Sequence, residues 1–334
     1  MKIGVIGTGS IVEAFLSALS QVNHATCTAV FSRKETTARP LADKYEIPHI
    51  YTNLDEIVSS SELDWVYIAS PNSLHFEYAR LALQHGKHVI CEKPFTSNAH
   101  ELQQLIQLAK EKHLFLFEAI TNIHLPNYRW IKDNVHRLGS IRMIQCNYSQ
   151  YSRKYDQLLA GETPNVFNPQ FSGGALMDIN LYNVHFILNL FGTPQQLSYT
   201  ANKHENGIDT SGALVMQYDG FTASAVGCKD TRGMNFVLIQ GEQGYIHVEN
   251  GANGCRNVHL HIGDNDEQYN VQTTDNPLYY ELVDFVDMFQ NDDYEQCYQL
   301  LDYSYTVMQT LDRARQDAGI VFAADSAQAT ASSN

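Results

Sequence analysis

No apolar run in this 334-residue chain approaches the ~18 residues that a membrane-spanning helix needs, so no membrane partner is expected. Cysteine is sparse: Cys27, Cys91, Cys146, Cys228, Cys255 and Cys297 lie far apart. No C-x-x-C pair and no cysteine–histidine cluster with zinc spacing occurs, which argues against a metal site. Positive charge is also scarce, with 22 basic against 37 acidic residues and a formal net charge of −15. Such a surface repels nucleic acid and anionic membranes, and an anionic ligand must be held by local groups against the global field. The N-terminus carries one lysine before an apolar strand and a glycine turn, which is unlike a signal peptide. Together with dispersed thiols this predicts a cytoplasmic protein.

The chain does contain alternating strand and helix signals over its first ~120 residues. Strands are expected over Lys2–Ile6, Thr26–Phe31, Asp64–Ala69, Lys87–Cys91 and Leu114–Phe117. Helices are expected over Ile11–Gln21, Thr36–Tyr45, Ser73–His85 and Ser97–Lys112. Alternation of this kind implies an α/β domain with a doubly wound parallel sheet. The pattern changes near residue 120. One helix (Pro126–Leu138), a longer strand (Ile141–Tyr151) and a strong helix (Gly173–Phe191) lead into strands at Leu214–Tyr218, Thr222–Cys228, Met234–Gln240, Tyr245–Val248 and Val258–Ile262. Turn residues between these short strands predict a mostly antiparallel sheet. Helices at Tyr279–Phe289 and Tyr294–Gln316 close the pattern. The expected domains are therefore 1–119, 120–324 and a loose polar tail, 325–334.

Gly7-Thr8-Gly9-Ser10-Ile11-Val12 reads G-x-G-x-x-V between a strand and a helix, the context a dinucleotide fingerprint requires. Gly7 allows the tight turn. Gly9 lets the backbone approach a pyrophosphate at the helix N-terminus, where Ser10 and Ile11 lie. Where an NAD site normally places Asp or Glu at the end of the next strand, this chain has Ser32-Arg33-Lys34. A hydroxyl and two cations suit a ribose 2′-phosphate, which points to NADP, with NAD possible; a solvated basic turn is the alternative. Ser70-Pro71-Asn72-Ser73-Leu74-His75 follows a third strand at its carboxyl end, where Asn72 or Ser73 can cap the next helix and His75 can reach a cofactor or pack inside. Lys93, in Glu92-Lys93-Pro94, follows a buried-type strand at the position where ligands bind in such sheets.

Within the helix after Gly173-Gly174, Asp178, Tyr182, His185 and Asn189 recur at i, i+4, i+7 and i+11, which predicts one polar face. It faces either a site or solvent, and His185 also reads as a structural histidine. Hydride transfer at an alcohol carbon requires a proton acceptor. A tyrosine of pKa near 10 serves poorly until a cation stabilises the phenolate. Lys93 is the expected cation for Tyr182, and Asp178 would orient the substrate hydroxyl or the lysine.

These residues resemble the glucose–fructose oxidoreductase, inositol dehydrogenase and rhizopine-catabolism (Gfo/Idh/MocA) family. The resemblance rests on Gly7–Val12, Ser70–His75, Gly86–Pro94, Glu118-Ala119 and Gly173–Asp178. It implies a Rossmann domain followed by an α+β domain whose open sheet forms a homodimer or homotetramer. It implies catalytic roles for Lys93, Asp178 and Tyr182. Tyr182 stands where inositol-type members carry histidine, as in the dihydrodiol and NADP-dependent D-xylose dehydrogenase branch. The expected cofactor contacts are Gly7, Gly9, Ser10, Ile11, Ser32, Arg33, Lys34, Ser70, Pro71, Asn72, His75, Glu92 and Lys93. Lys93, Asn122, Asn168, Asp178 and Tyr182 are the expected substrate contacts. The implied activity is hydride transfer between a nicotinamide and a hydroxyl or carbonyl carbon of a sugar, polyol or cyclic diol. A cofactor-retaining glycosidase and a cofactor-sensing regulator are the rival readings. Val12, Ile120–Pro126 and Asn180 depart from the family pattern.

Overall fold

A computed structural model describes residues 1–326. The chain divides into two compact units. One comprises Met1–Ile120 and Asn276–Tyr305; the other comprises Thr121–Asp275 and the residues from Thr306 on.

The first unit is built on six parallel strands: β1 (Lys2–Ile6), β2 (Thr26–Phe31), β3 (His49–Tyr51), β4 (Trp65–Ile68), β5 (His88–Glu92) and β6 (Leu116–Ala119). Their order is β3-β2-β1-β4-β5-β6. The order reverses beside β1, so the carboxyl ends of β1 and β4 flank the crevice where such sheets bind ligands. β1, β4, β5 and β6 are almost wholly buried apolar runs, as expected of strands covered on both faces. The three-residue β3 escaped sequence reading because it is short and only half-buried. Helix Leu278–Gln290, assigned from sequence to the second domain, packs into this unit's core. Its Phe285 stacks on Phe117 at 4.3 Å, and Phe117 stacks in turn on Trp65 at 5.8 Å. Rings of this size bury enough apolar area to contribute ~1.5–3 kcal/mol each.

The second unit holds an eight-stranded sheet: β7 (Ile141–Ser149), β8 (Gln196–Lys203), β9 (Asp209–Gln217), β10 (Thr222–Cys228), β11 (Phe236–Gly241), β12 (Gly244–Glu249), β13 (Arg256–Ile262) and β14 (Asn265–Tyr269). The order is β14-β13-β12-β11-β7-β10-β9-β8, antiparallel except for the β7–β10 pair. The edge strands β8 and β14 were not separated in the sequence reading. Each has few buried side chains, so neither shows clean alternation. Inward residues such as Ile144, Cys146, Ala223 and Ala225 are fully buried. On the opposite face, Met143 and Tyr245 share one row and Val215 the next, and all three are exposed.

The first two residues of the tail expected over 325–334 are ordered into the fold. The carboxylate of Asp325 accepts two hydrogen bonds from the Arg315 guanidinium, at 2.8 and 3.1 Å, and one from the Phe322 amide. The rest of that expected tail, 327–334, lies outside the described residues.

Candidate active site

The candidate residues divide between the two units. In the first unit, Gly7 has φ +123°, and a Cβ there would lie 2.6 Å from the Ala69 carbonyl oxygen, so only glycine fits. A Cβ on Gly9 would meet nothing within 4 Å, so the space above the helix start is open. Helix Ser10–Leu19 begins there with no side-chain cap, leaving its first amides for a ligand. Val12, the departure from the third glycine, is fully buried in the core.

At the end of β2 the Ser32 hydroxyl lies 2.5 Å from the Thr37 hydroxyl. Arg33 and Lys34 are exposed. The neighbouring cations are committed, Arg39 to Glu35 and Lys44 to Glu13, whereas Arg33 and Lys34 form no ion pair among the described residues. Ser70, Pro71 and Asn72 are half-buried at the end of β4.

Two expected cofactor contacts have a different place. His75 is 1% exposed; its Nδ1 lies 2.9 Å from the Pro94 carbonyl and its Nε2 3.0 Å from that of Ser70. Both polar atoms are thus used inside the protein, tying the Ser70 loop to the turn after Lys93. Burial pushes its pKa down despite the two carbonyls. Glu92 is also interior, and its Oε1 accepts a hydrogen bond of 2.6 Å from the Tyr67 hydroxyl. Burial pushes its pKa up to about 7, the Tyr67 bond and the Lys93 charge opposing the shift. Beside it lie two further buried carboxyls. Glu118 accepts from Ser304 at 2.7 Å, and Glu281, whose Oε2 has no hydrogen-bond partner among the described residues, is pushed well above the carboxylate range by burial and by Glu92. Lys93 itself is half-buried, and the Lys93–Pro94 peptide is cis.

In the second unit, Gly173 and Gly174 are required by close approach. A Cβ on Gly173 would lie 2.5 Å from the Val166 carbonyl oxygen, and one on Gly174 (φ +105°) would lie 2.0 Å from Asp209 Oδ1. Asp209 Oδ2 accepts from the Leu176 amide and from the Tyr199 hydroxyl, both at 2.7 Å, which anchors the start of the following helix. The helix expected from Gly173 is continuous to Phe191 but opens with a wider turn: Leu176–Asn180 is π-helical and runs directly into the α-helix Leu181–Phe191. The wider turn displaces the polar register, so the expected single face is not uniform. Asp178 and Tyr182 are half-buried, His185 is buried, and Asn189 accepts from the Tyr128 hydroxyl at 2.9 Å. The Tyr182 ring meets Tyr148 edge-on at 5.9 Å.

Asn180, the departure from the family glycine, donates to the Ala225 carbonyl at 3.0 Å. A Cβ on the facing Gly227 would lie 2.5 Å from the Asn180 Cβ, so Asn180 fits only because its neighbour has no side chain. Asn122 is not an open substrate contact. It is fully buried and donates to the Tyr182 carbonyl at 2.8 Å. Asn168 caps a short turn, its Oδ1 accepting from the Gln170 amide at 2.9 Å.

Sequence reading missed Lys229. It follows the last residue of β10, is almost fully buried, and forms an ion pair with Asp178. Its only sequence signal is a cation immediately after a strand, and that position is usually solvent. Among the described residues no group of three or more His, Cys, Asp or Glu is arranged to hold a metal, and no helix is long and apolar enough to cross a membrane.

Residues 1–119 match the family model described as "Oxidoreductase family, NAD-binding Rossmann fold", and residues 130–247 match the "GFO/IDH/MocA C-terminal domain". The chain is 34% identical over 328 residues to scyllo-inositol 2-dehydrogenase (NADP(+)) IolU of Bacillus subtilis, covering 98% of this chain and 100% of that protein. It is 29% identical to D-xylose 1-dehydrogenase (NADP(+)) 2 of Haloferax volcanii, covering 76% and 77% of the two chains. The crystal structure of KijD10, a 3-ketoreductase from Actinomadura kijaniata in complex with NADP and TDP-benzene, shares the fold with a TM-score of 0.84 at 21% identity, covering 95% and 97%. This chain belongs to the Gfo/Idh/MocA oxidoreductase family.

Proposed function

We propose that the protein is an NADP-preferring oxidoreductase acting on a CH–OH group of a sugar, polyol or cyclic diol, or on the corresponding carbonyl. The observation that carries the cofactor choice is the pair Arg33 and Lys34, exposed at the end of β2 with no acidic partner among the described residues. The Gly7 turn and the uncapped first turn of helix Ser10–Leu19 fit a pyrophosphate. The relatives named above as NADP-dependent support the same choice. NADP, when bound, supplies or takes up the hydride. In this reading Tyr182 exchanges the proton of the substrate hydroxyl, Lys93 supplies the positive charge that such proton transfer needs, and Asp178 orients the hydroxyl. A screen of inositols, sugars, diols and dicarbonyls, followed at the reduced-nicotinamide absorbance band, tests the reading; silence across all four classes rejects it.

Replacing both cations, Arg33→Ala with Lys34→Ala, is expected to weaken NADPH binding about 30-fold, from ~2 kcal/mol of lost charge-assisted hydrogen bonding. NADH binding should change less than about threefold. Fluorescence titration with both cofactors measures this, and equal losses for the two would remove the 2′-phosphate assignment.

The open outer face of the second sheet is proposed to pair copies into a homodimer or homotetramer, because it leaves Met143, Val215 and Tyr245 exposed. Sedimentation velocity should give a multiple of the chain mass that Val215→Asp reduces; a monomeric wild type contradicts it. We place the protein in the cytoplasm, where its six free thiols suit a reducing compartment.

A further inference from the structure

We propose that Lys229 is the positioning residue for Asp178, holding its carboxylate as an oriented hydrogen-bond acceptor, and that the site is thereby built for an uncharged polyhydroxy substrate rather than its carboxylate or phosphate. The substrate part rests on the function proposed above. The Lys229 side chain is 7% exposed and that of Asp178 26%, so the cation lies beneath and the carboxylate at the surface of the pair. Lys229 is locked from both sides of its backbone: its amide donates to the Thr210 carbonyl, and its carbonyl accepts from the Ser152 amide, each at 2.8 Å. Its ammonium also lies 5.8 Å from the Phe167 ring centroid.

The competing acids nearby are occupied. Asp230 accepts from the hydroxyls of Thr210 and Ser211 at 2.7 and 2.8 Å, and Asp209 accepts from the Leu176 amide and the Tyr199 hydroxyl. Lys229 is therefore directed to Asp178, with Tyr182 the titratable group one turn along the same helix. A carboxylate paired with a buried ammonium resists protonation, and an ionised carboxylate only accepts hydrogen bonds. Asp178 then binds a substrate hydroxyl and carries no proton itself. Of the pair, the carboxylate is the more exposed member, so at that contact it favours a hydroxyl donor and repels a carboxylate or phosphate.

Lys229→Met is expected to raise KM for the best neutral substrate ~10-fold or more while kcat changes less than about threefold. Lys229→Arg should recover most of the affinity. The wild type should prefer a neutral polyol to its uronate or phosphate. Asp178→Asn and the double variant Lys229→Met/Asp178→Asn should behave alike, since the lysine acts only through the aspartate. An unchanged KM, multiplying effects, or a preference for the anionic analogue overturns the proposal. A turnover-independent readout is the Asp178 carboxyl carbon, titrated by NMR and assigned with Asp178→Asn. Its titration should move to higher pH in Lys229→Met, where the carboxylate has lost the cation beneath it. No rise defeats the pairing role even where the enzyme is active, whereas a rise without any accepted substrate sustains the pairing and rejects the function.

Discussion

Lys93→Met is expected to lower kcat by about 10³-fold while NADPH affinity stays within about twofold. Methionine keeps the length of the side chain and removes only its charge. In the proposed mechanism the ammonium supplies the positive charge without which a tyrosine phenol, of ordinary pKa near 10, is a poor base at neutral pH. General acid–base catalysis of this kind is worth about 10²–10⁴-fold, which sets the scale of the loss. The cofactor's phosphates would be held elsewhere, at the Gly7 turn and by Arg33 and Lys34, so binding and turnover should separate. Steady-state kinetics beside fluorescence titration measures both. A variant retaining more than a tenth of wild-type turnover removes Lys93 from the chemistry.

Glu92→Gln is expected to stabilise the protein above neutral pH by on the order of 3 kcal/mol and to leave it nearly unchanged near pH 4. The native pKa of Glu92 is pushed up to about 7 by burial, against an ordinary value near 4.3 in the unfolded chain. Between those values the native state holds the proton and the unfolded state does not. Stability is thus fully present below ~4.3 and falls as pH rises to about 7, after which both states are ionised. Glutamine removes that slope and can still accept from Tyr67. It also relieves Glu281, whose own pKa is raised partly by the Glu92 charge. Unfolding midpoints measured across this pH range decide the matter: parallel curves for wild type and variant would show that Glu92 does not titrate as stated.

Much of the first unit was legible because a buried parallel strand writes itself as a short apolar run between helix signals. Five of its six strands were read that way, and the three-residue β3 was not. In the second sheet the central strands alternate and were read, while the polar edges β8 and β14 were not. The π-helical first turn of the helix after Gly174 had no signal in the helical period. It arises where Asp209 grips the Leu176 amide and Asn180 reaches the Ala225 carbonyl, contacts made across more than thirty residues.

The sequence by itself determined the two architectures, the glycine turns and the order of chemical residues along the chain, because local periodicity and backbone conformation depend on near neighbours. Tertiary structure alone decided which polar groups turn inward and with whom. His75 and Glu92 went into the first core, Asn122 under Tyr182, and Lys229 against Asp178. Residue identity does not reveal burial for such groups, and each becomes tolerable inside only through a partner supplied by a distant segment.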